Sequence, residues 1–152
     1  MKIDQLNITT QVLPLGLDSS GAAAAPPKDD PSAVAWFDQG PKPGSNRGKV
    51  VLSTHTYHSG GALGNTLYDA QNGLRKGDII RLADVSGTTV CYRFDHHAKV
   101  LVKDYDPNST ILYDNAGAPM VAVVICWDYN HDTKDWGSRI IFYGTPVAGS
   151  AK

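Results

Sequence analysis

Residues 123–144 read VVICWDYNHDTKDWGSRIIFYG. An apolar run, Val121–Ile125, delivers Cys126 into a polar, aromatic loop, and that loop leads through Arg139 into a second apolar run. The β-branched content of both runs predicts strands over 120–126 and 138–145. The first is too continuously apolar for a strand with one wet face, so it reads as a central strand buried on both faces. Cys126 then sits where core gives way to loop, a place where rigid support meets an accessible side chain.

Further strands are expected at 3–8, 11–17, 49–54, 78–82, 88–94 and 98–105, because short Val, Ile, Thr and Tyr runs are broken there by turn residues. The separators DSSG, GPKPGSNRG, DVSGTT and DPNS supply positive φ from Gly, fixed φ from Pro and side-chain turns from Asn and Asp. Helical pattern is scarce. Residues 30–37 predict one or two helical turns, with Asp30 as N-cap and Pro31 at the first helical position. A second short helix is expected from Thr66 to a stop at Gly73. The AAAAPP patch, Ala22–Pro27, reads as an extended surface connection. Eight short strands and little helix predict an all-β barrel or sandwich.

The 152 residues fit one domain, 1–152, with one core. A formal net charge of −1 and no Lys/Arg run give no electrostatic footprint for nucleic acid or an acidic membrane. No apolar stretch reaches the roughly 18–20 residues of a membrane span. The first residues, KIDQLNITTQV, already read as folded-domain sequence and not as a secretory leader. Two cysteines, Cys91 and Cys126, allow one disulfide or none, so the fold does not rest on cystine staples.

A nucleophilic cysteine needs a partner to take its proton, since the free thiol is only a few per cent thiolate at pH 7. Among the five histidines, His55 mirrors Cys126: the run KVVLST ends at it and dissolves into a Gly-rich loop. His58 and His131 read as loop residues. His96 and His97 read as a surface hairpin turn, since adjacent side chains on an extended chain point apart and make a poor metal pair. Cys91, mid-strand in TTVCYRF, reads as structural. Arg139 offers a permanent charge near a developing oxyanion, or an ordinary strand-end ion pair with Asp128 or Asp135. Cys126 itself is either a small buried hydrophobe or a nucleophile, and spacing alone leaves both open.

The pattern C-x-D-Y-N-x-x-T-x-x-W-x-x-R-x-x-F, carried by Cys126, Asp128, Tyr129, Asn130, Thr133, Trp136, Arg139 and Phe142, resembles the class A signature of the sortases. The segments QVLPLGLDSSGAAAAPP, AVAWFDQGPKPGSNRGKVVLSTHT and LYDAQNGLRKGDIIRL resemble sortase segments too, there closer to the actinobacterial E- and F-types. The resemblance implies an eight-stranded sortase-type β-barrel with one or two short helices, and a cysteine transpeptidase. It implies Cys126 as nucleophile, His55 as general acid or base and Arg139 as the substrate-orienting or oxyanion-stabilising residue. Thr54, Ile125, Trp127 and Trp136 become the candidates for substrate contact. The implied partners are an LPXTG-like sorting-signal peptide of surface proteins, cut between Thr and Gly through a thioacyl-enzyme, and an amine acceptor, either a peptidoglycan precursor or a pilin lysine. No cofactor is implied. The expected site of action is the outer face of the cell membrane, reached through an N-terminal anchor preceding this chain.

Some class A sortases bind calcium, but Asp104, Asp106 and Asp114 are scattered through a turn-rich segment and are read as solvated, with no metal expected. That segment, with Pro107 and Pro119, precedes the Cys126 strand and is the expected specificity wall. Two positions depart from the family pattern. Ile125 stands where sortases usually carry Thr before the Cys, and Thr54 stands where they carry Gly before the His. A hydroxyl from Thr54 compensating for Ile125 is the expectation that follows. Two other readings stay open: a cysteine hydrolase that releases the acyl group to water, and a non-catalytic peptide-binding β-barrel.

Overall fold

The computed structural model describes residues 1–149, which form one sheet of nine strands. In chain order these are β1 (Lys2–Ile3), β2 (Ile8–Thr9), β3 (Val12–Leu15), β4 (Val34–Phe37), β5 (Lys49–Thr54), β6 (Ile79–Ala83), β7 (Thr89–Leu101), β8 (Met120–Asn130) and β9 (Asp135–Pro146). One turn of helix, α1 (Leu63–Leu67), follows β5. The spatial order is β2-β1-β6-β7-β9-β8-β5-β4-β3. The two edges, β2 and β3, are therefore consecutive strands separated only by Thr10 and Gln11. A sheet whose edges are tied by two residues must curl on itself, which is the barrel expected from the sequence.

Alternation along the strands sorts the core. Val121, Val123 and Ile125 of β8, Val50 and Leu52 of β5, and Ile140 and Phe142 of β9 point into the barrel with Tyr92 and Phe94. Burying each such side chain contributes roughly 2 kcal/mol. The opposite parity, Ala122 and Val124, Val51, Ile141 and Tyr143, packs on the outer face against Phe37, Val100, Ile111 and Leu112. β8 is thus buried on both faces, as its unbroken apolar run requires.

Four sequence expectations are corrected. Residues 30–37 are not helical: Asp30 accepts from Ser32 N (3.0 Å) and Ala33 N (3.1 Å), but closes only a turn. Val34 then pairs with Thr54, and β4 adds to the sheet. The helix placed at 66–73 lies at Leu63–Leu67, and residues beyond it turn around the Asp69 side chain, which accepts from Gln71 N and Asn72 N. His96 and His97 are not a turn. The strands expected at 88–94 and 98–105 are one 13-residue strand, β7, which pairs with β9 through a bulge between Phe94 and His96 and so bends without breaking. The strand expected at 120–126 runs on to Asn130 and the one expected at 138–145 begins at Asp135, so Cys126 and Arg139 lie within strands and not at the edge of a long loop.

Candidate active site

Three strands present the candidate residues. Cys126 lies directly opposite Arg139 in the antiparallel β8–β9 ladder, and Arg139 lies opposite Val100 on β7. β5 runs parallel to β8, with Ser53 beside Val124, so the chain leaves β5 at His55 level with Cys126. All three residues have the parity of the outer apolar cluster, not of the barrel interior. They line one cavity of about 780 Å³ on the outer face of the sheet.

Two coverings make that cavity. One is the 101–119 segment, which contributes Val102, Tyr105, Pro107 and Leu112–Asn115. The other is the chain between β3 and β4. It begins as a hairpin in which Ala24 N donates to Gly16 O (3.0 Å), with Asp18 accepting from Ser20 N (2.8 Å) and Ala22 N (3.1 Å). Ala22–Pro26 then form a wall of the cavity. The Tyr113 hydroxyl bonds the backbone of Ala23, which ties the two coverings together. The alanines matter as small side chains: they bring backbone close to the sheet while leaving volume beneath.

His55 is held from both sides. Its Nε2 lies 2.7 Å from the Pro26 carbonyl. Its own carbonyl accepts from Gly64 N (2.8 Å) at the start of α1. A Cβ on Gly64 would stand 2.6 Å from His55 O and 2.5 Å from Thr56 Oγ1, so only glycine lets the helix approach this closely. Asn65 fixes the loop beyond: Tyr57 N donates to its Oδ1 and its Nδ2 donates to Tyr57 O, both at 3.0 Å. His58 then stacks on Tyr129 at 4.6 Å between ring centroids, bridging the loop after His55 to the strand carrying Cys126.

Arg139 is anchored by Nη1 donating to Ser138 O (2.9 Å) and Trp136 O (3.4 Å), which leaves the rest of the planar donor fork available. Below it, fully buried Ser138 donates to Asp128 Oδ2 (2.8 Å), and Lys99 Nζ reaches the same carboxylate at 2.5 Å. These bonds stitch β7, β8 and β9 together beside the Cys126–Arg139 pair. They hold the Asp128 carboxyl below its usual range, Lys99 contributing most and Ser138 next.

A match to the family model described as the sortase domain spans residues 1–147. The chain belongs to the sortase family. The Listeria monocytogenes sortase A structure superposes with a TM-score of 0.63 at 12% identity, over 95% of this chain and 83% of that one. Sortase C of Clostridium perfringens SM101 gives 0.61 at 16% identity, over 96% of this chain and 67% of that one. Sortase C-1 of Actinomyces oris gives 0.55 at 21% identity, over 76% of this chain and 59% of that one. At such identities the likeness is one of fold, and this chain spans 59% to 83% of the length of those three structures. No curated protein matches the sequence.

Within this sortase fold, burial pushes the Cys126 thiol up from its usual range, Arg139 pulls it down and Asp135 adds a smaller upward push. Burial thus favours the protonated thiol over the thiolate. The four expected substrate contacts fall into two sets. Thr54 and Ile125 border the cavity, whereas Trp127 and Trp136 do not. Ile125 is 1% exposed and packs in the barrel, so its side chain leaves β8 on the face opposite Cys126. The Thr54 hydroxyl donates to Ala33 O at 2.8 Å in a buried setting. Trp127 packs edge-on against Tyr68 at 4.8 Å, and Trp136 against Tyr129 at 5.1 Å.

Asp114 caps its own turn through Ala116 N and Gly117 N and pairs with Lys49 at 3.8 Å. Among the described residues no three His, Cys, Asp or Glu side chains gather as a metal set. Cys91 and Cys126 are not joined in a disulfide. No described helix is long and apolar enough to cross a membrane. Sequence reasoning missed Pro26, Gly64, Asn65 and Ser138. The paired prolines were the one signal available, because they mark a stiff segment; the other three act through contacts between distant parts of the chain.

Proposed function

We propose that this protein is a cysteine transpeptidase acting on an LPXTG-like sorting signal at the outer face of the cell envelope. The observation that carries the reading is the convergence of Cys126, His55 and Arg139 on one cavity, from three strands, on one face of the sheet. The cavity is largely apolar, with alanines and a proline in one wall, which suits a peptide with small and branched side chains.

Cys126 passes its proton to His55, and sulfur attacks the carbonyl carbon of the Thr–Gly bond. Arg139 donates to the oxygen as negative charge develops there, or to substrate carbonyls that orient the bond. His55 returns the proton to the leaving glycine nitrogen as the C–N bond breaks, leaving a thioester on Cys126. An amine, from a peptidoglycan precursor or a pilin lysine, gives its proton to His55 and takes the acyl group. The 101–119 segment and Ala22–Ala25 set which side chains enter. Thr54 and Ile125 back this surface from the barrel side of β5 and β8, Thr54 with its hydroxyl bonded to Ala33 O.

Incubation with a sorting-signal peptide, with and without an amine, tests this by mass spectrometry. A ligated product and a transient adduct on Cys126, absent in Cys126→Ala, are expected. Free acid alone would make the protein a hydrolase, and the absence of any adduct would leave a peptide-binding barrel.

A further inference from the structure

His55 Nε2 lies 2.7 Å from the carbonyl oxygen of Pro26. A carbonyl only accepts, so Nε2 must carry a proton in this geometry. Neutral His55 then presents an unprotonated Nδ1. We propose that the Pro26 carbonyl is the positioning group for His55, and that Nδ1 is the nitrogen exchanging protons with Cys126 and with the leaving and entering amines. This rests on the transpeptidase reading and assigns it a third member, a backbone carbonyl in the place where other nucleophile–base pairs use a side chain.

The carbonyl is suited to the task because it cannot drift. It belongs to a Pro–Pro unit in which both φ angles are fixed by their rings, and Pro26 is buried. The chain that follows is fastened to the segment bearing His55 at successive points. Tyr57 Oη donates to Lys28 O (2.6 Å), Leu63 N to Pro31 O (2.8 Å) and Thr54 Oγ1 to Ala33 O (2.8 Å). Asp30 closes the turn between them, accepting from Ser32 Oγ at 2.8 Å. Acceptor and imidazole are thus parts of one rigid unit.

The bond also strengthens when it is needed. Once Nδ1 takes the Cys126 proton, the Nε2 proton belongs to a cation, and hydrogen bonds from ionised donors are roughly twice as strong as neutral ones. Stabilisation that grows along the reaction lowers the barrier, whereas uniform binding does not. The protons balance. The thiol proton moves to Nδ1, from Nδ1 to the glycine nitrogen as C–N breaks, and in the second half from the acceptor amine to Nδ1 and back to sulfur. Nε2 keeps its proton throughout.

Two readouts test this in the full chain. In protein labelled with nitrogen-15 histidine, one Nε2-bound proton should be shifted downfield, protected from exchange, and assigned to His55 by its loss in His55→Gln. Pro26→Gly/Pro27→Gly should abolish that protection and lower kcat about 10–100-fold with KM within about 2-fold. Pro26→Ala keeps a carbonyl that Pro27 still holds extended, and should retain the protected Nε2 proton. An Nδ1-protonated His55, or an unchanged kcat in the double-glycine variant, would overturn the proposal. If that variant fails to melt cooperatively, Tyr57→Phe replaces it. Loss of the tie at Lys28 should speed exchange of the Nε2 proton and reduce kcat, and no change in either would count against the proposal. A protected Nε2 proton in a wild-type protein that forms no adduct with sorting peptides would sink the transpeptidase reading and leave the orienting bond standing.

Discussion

Cys126 and Arg139 face each other across the β8–β9 ladder as direct register partners, and Arg139 Nη1 holds the carbonyls of Trp136 and Ser138. The guanidinium is thereby aimed by its own strand and needs no carboxylate partner. Lysine cannot reproduce this, because it lacks the planar fork that bonds backbone and ligand together. Arg139→Lys should lower kcat/KM about 10²-fold, near the cost of removing one oxyanion donor. Its melting temperature should stay within a few degrees of wild type, which thermal denaturation beside steady-state kinetics would check.

Burial raises the Cys126 thiol, and Arg139 and Asp135 act on it in opposite directions. A raised thiol stays protonated at neutral pH and becomes reactive only as pH climbs through its elevated value. The alkylation rate of Cys126 by iodoacetamide should therefore reach half-maximum above the usual thiol range. Arg139→Ala removes a stabilising cation and should move that midpoint up. Asp135→Asn removes a carboxylate and should move it down. Stopped-time mass spectrometry across pH resolves Cys126 from Cys91, and movement in the reverse directions would refute this electrostatic account.

Gly64 is where α1 touches the backbone of His55. An alanine there would place Cβ within 2.6 Å of His55 O and 2.5 Å of Thr56 Oγ1. Since Thr56 Oγ1 is already buried without a partner among the described residues, neither neighbour has an easy retreat. Gly64→Ala should cost about 1–3 kcal/mol in urea denaturation. It should also lower kcat more than it changes KM, because the displaced group is the proposed base.

Trp127 separates stability from substrate binding. Its neighbour Cys126 faces the cavity, but Trp127 packs on Tyr68 on the other face of β8. Trp127→Ala should destabilise by about 2–3 kcal/mol, below the usual cost of losing a fully buried large aromatic, because the ring is only half-buried. KM for the sorting peptide should stay within about 2-fold. A KM rise without loss of stability would return Trp127 to the substrate site.

The sequence made the barrel readable because strand signals are local: β8 is a continuous apolar run, and β9 alternates where it meets water. It also marked Cys126, His55 and Arg139 as candidates through their motif, although the strands run on past two of them: β8 continues to Asn130 and β9 begins at Asp135. What stayed hidden depends on where distant segments meet. Asp30–Pro31 is sound helix-starting chemistry, yet the waiting edge of β5 captures Val34 into a strand, a tertiary override of a local preference. His96–His97 resembles a turn because two polar residues interrupt a β run, and only a bulge opposite β9 explains how the strand continues. Ala22–Pro27 has no pattern that announces a wall, because its role depends on the cavity beneath it.

The inward face of β5 decides what Thr54 does. Thr54 precedes His55, but its side chain shares the parity of Val50 and Leu52, and its hydroxyl donates to Ala33 O at 2.8 Å. A hydroxyl serving the substrate and a hydroxyl pinning β4 to β5 predict different outcomes for Thr54→Val, which preserves shape. In the first case acylation slows and folding is unaffected. In the second, Ala33 O is left as a buried acceptor without its donor, at a cost of about 1–3 kcal/mol. For a domain of this size that is a fall in melting temperature of roughly 3–10 °C. The observed bond favours the second, with acylation within about 3-fold of wild type and Thr54→Ser restoring the melting temperature. An acylation defect in Thr54→Val at unchanged melting temperature would mean that the hydroxyl leaves Ala33 when peptide binds.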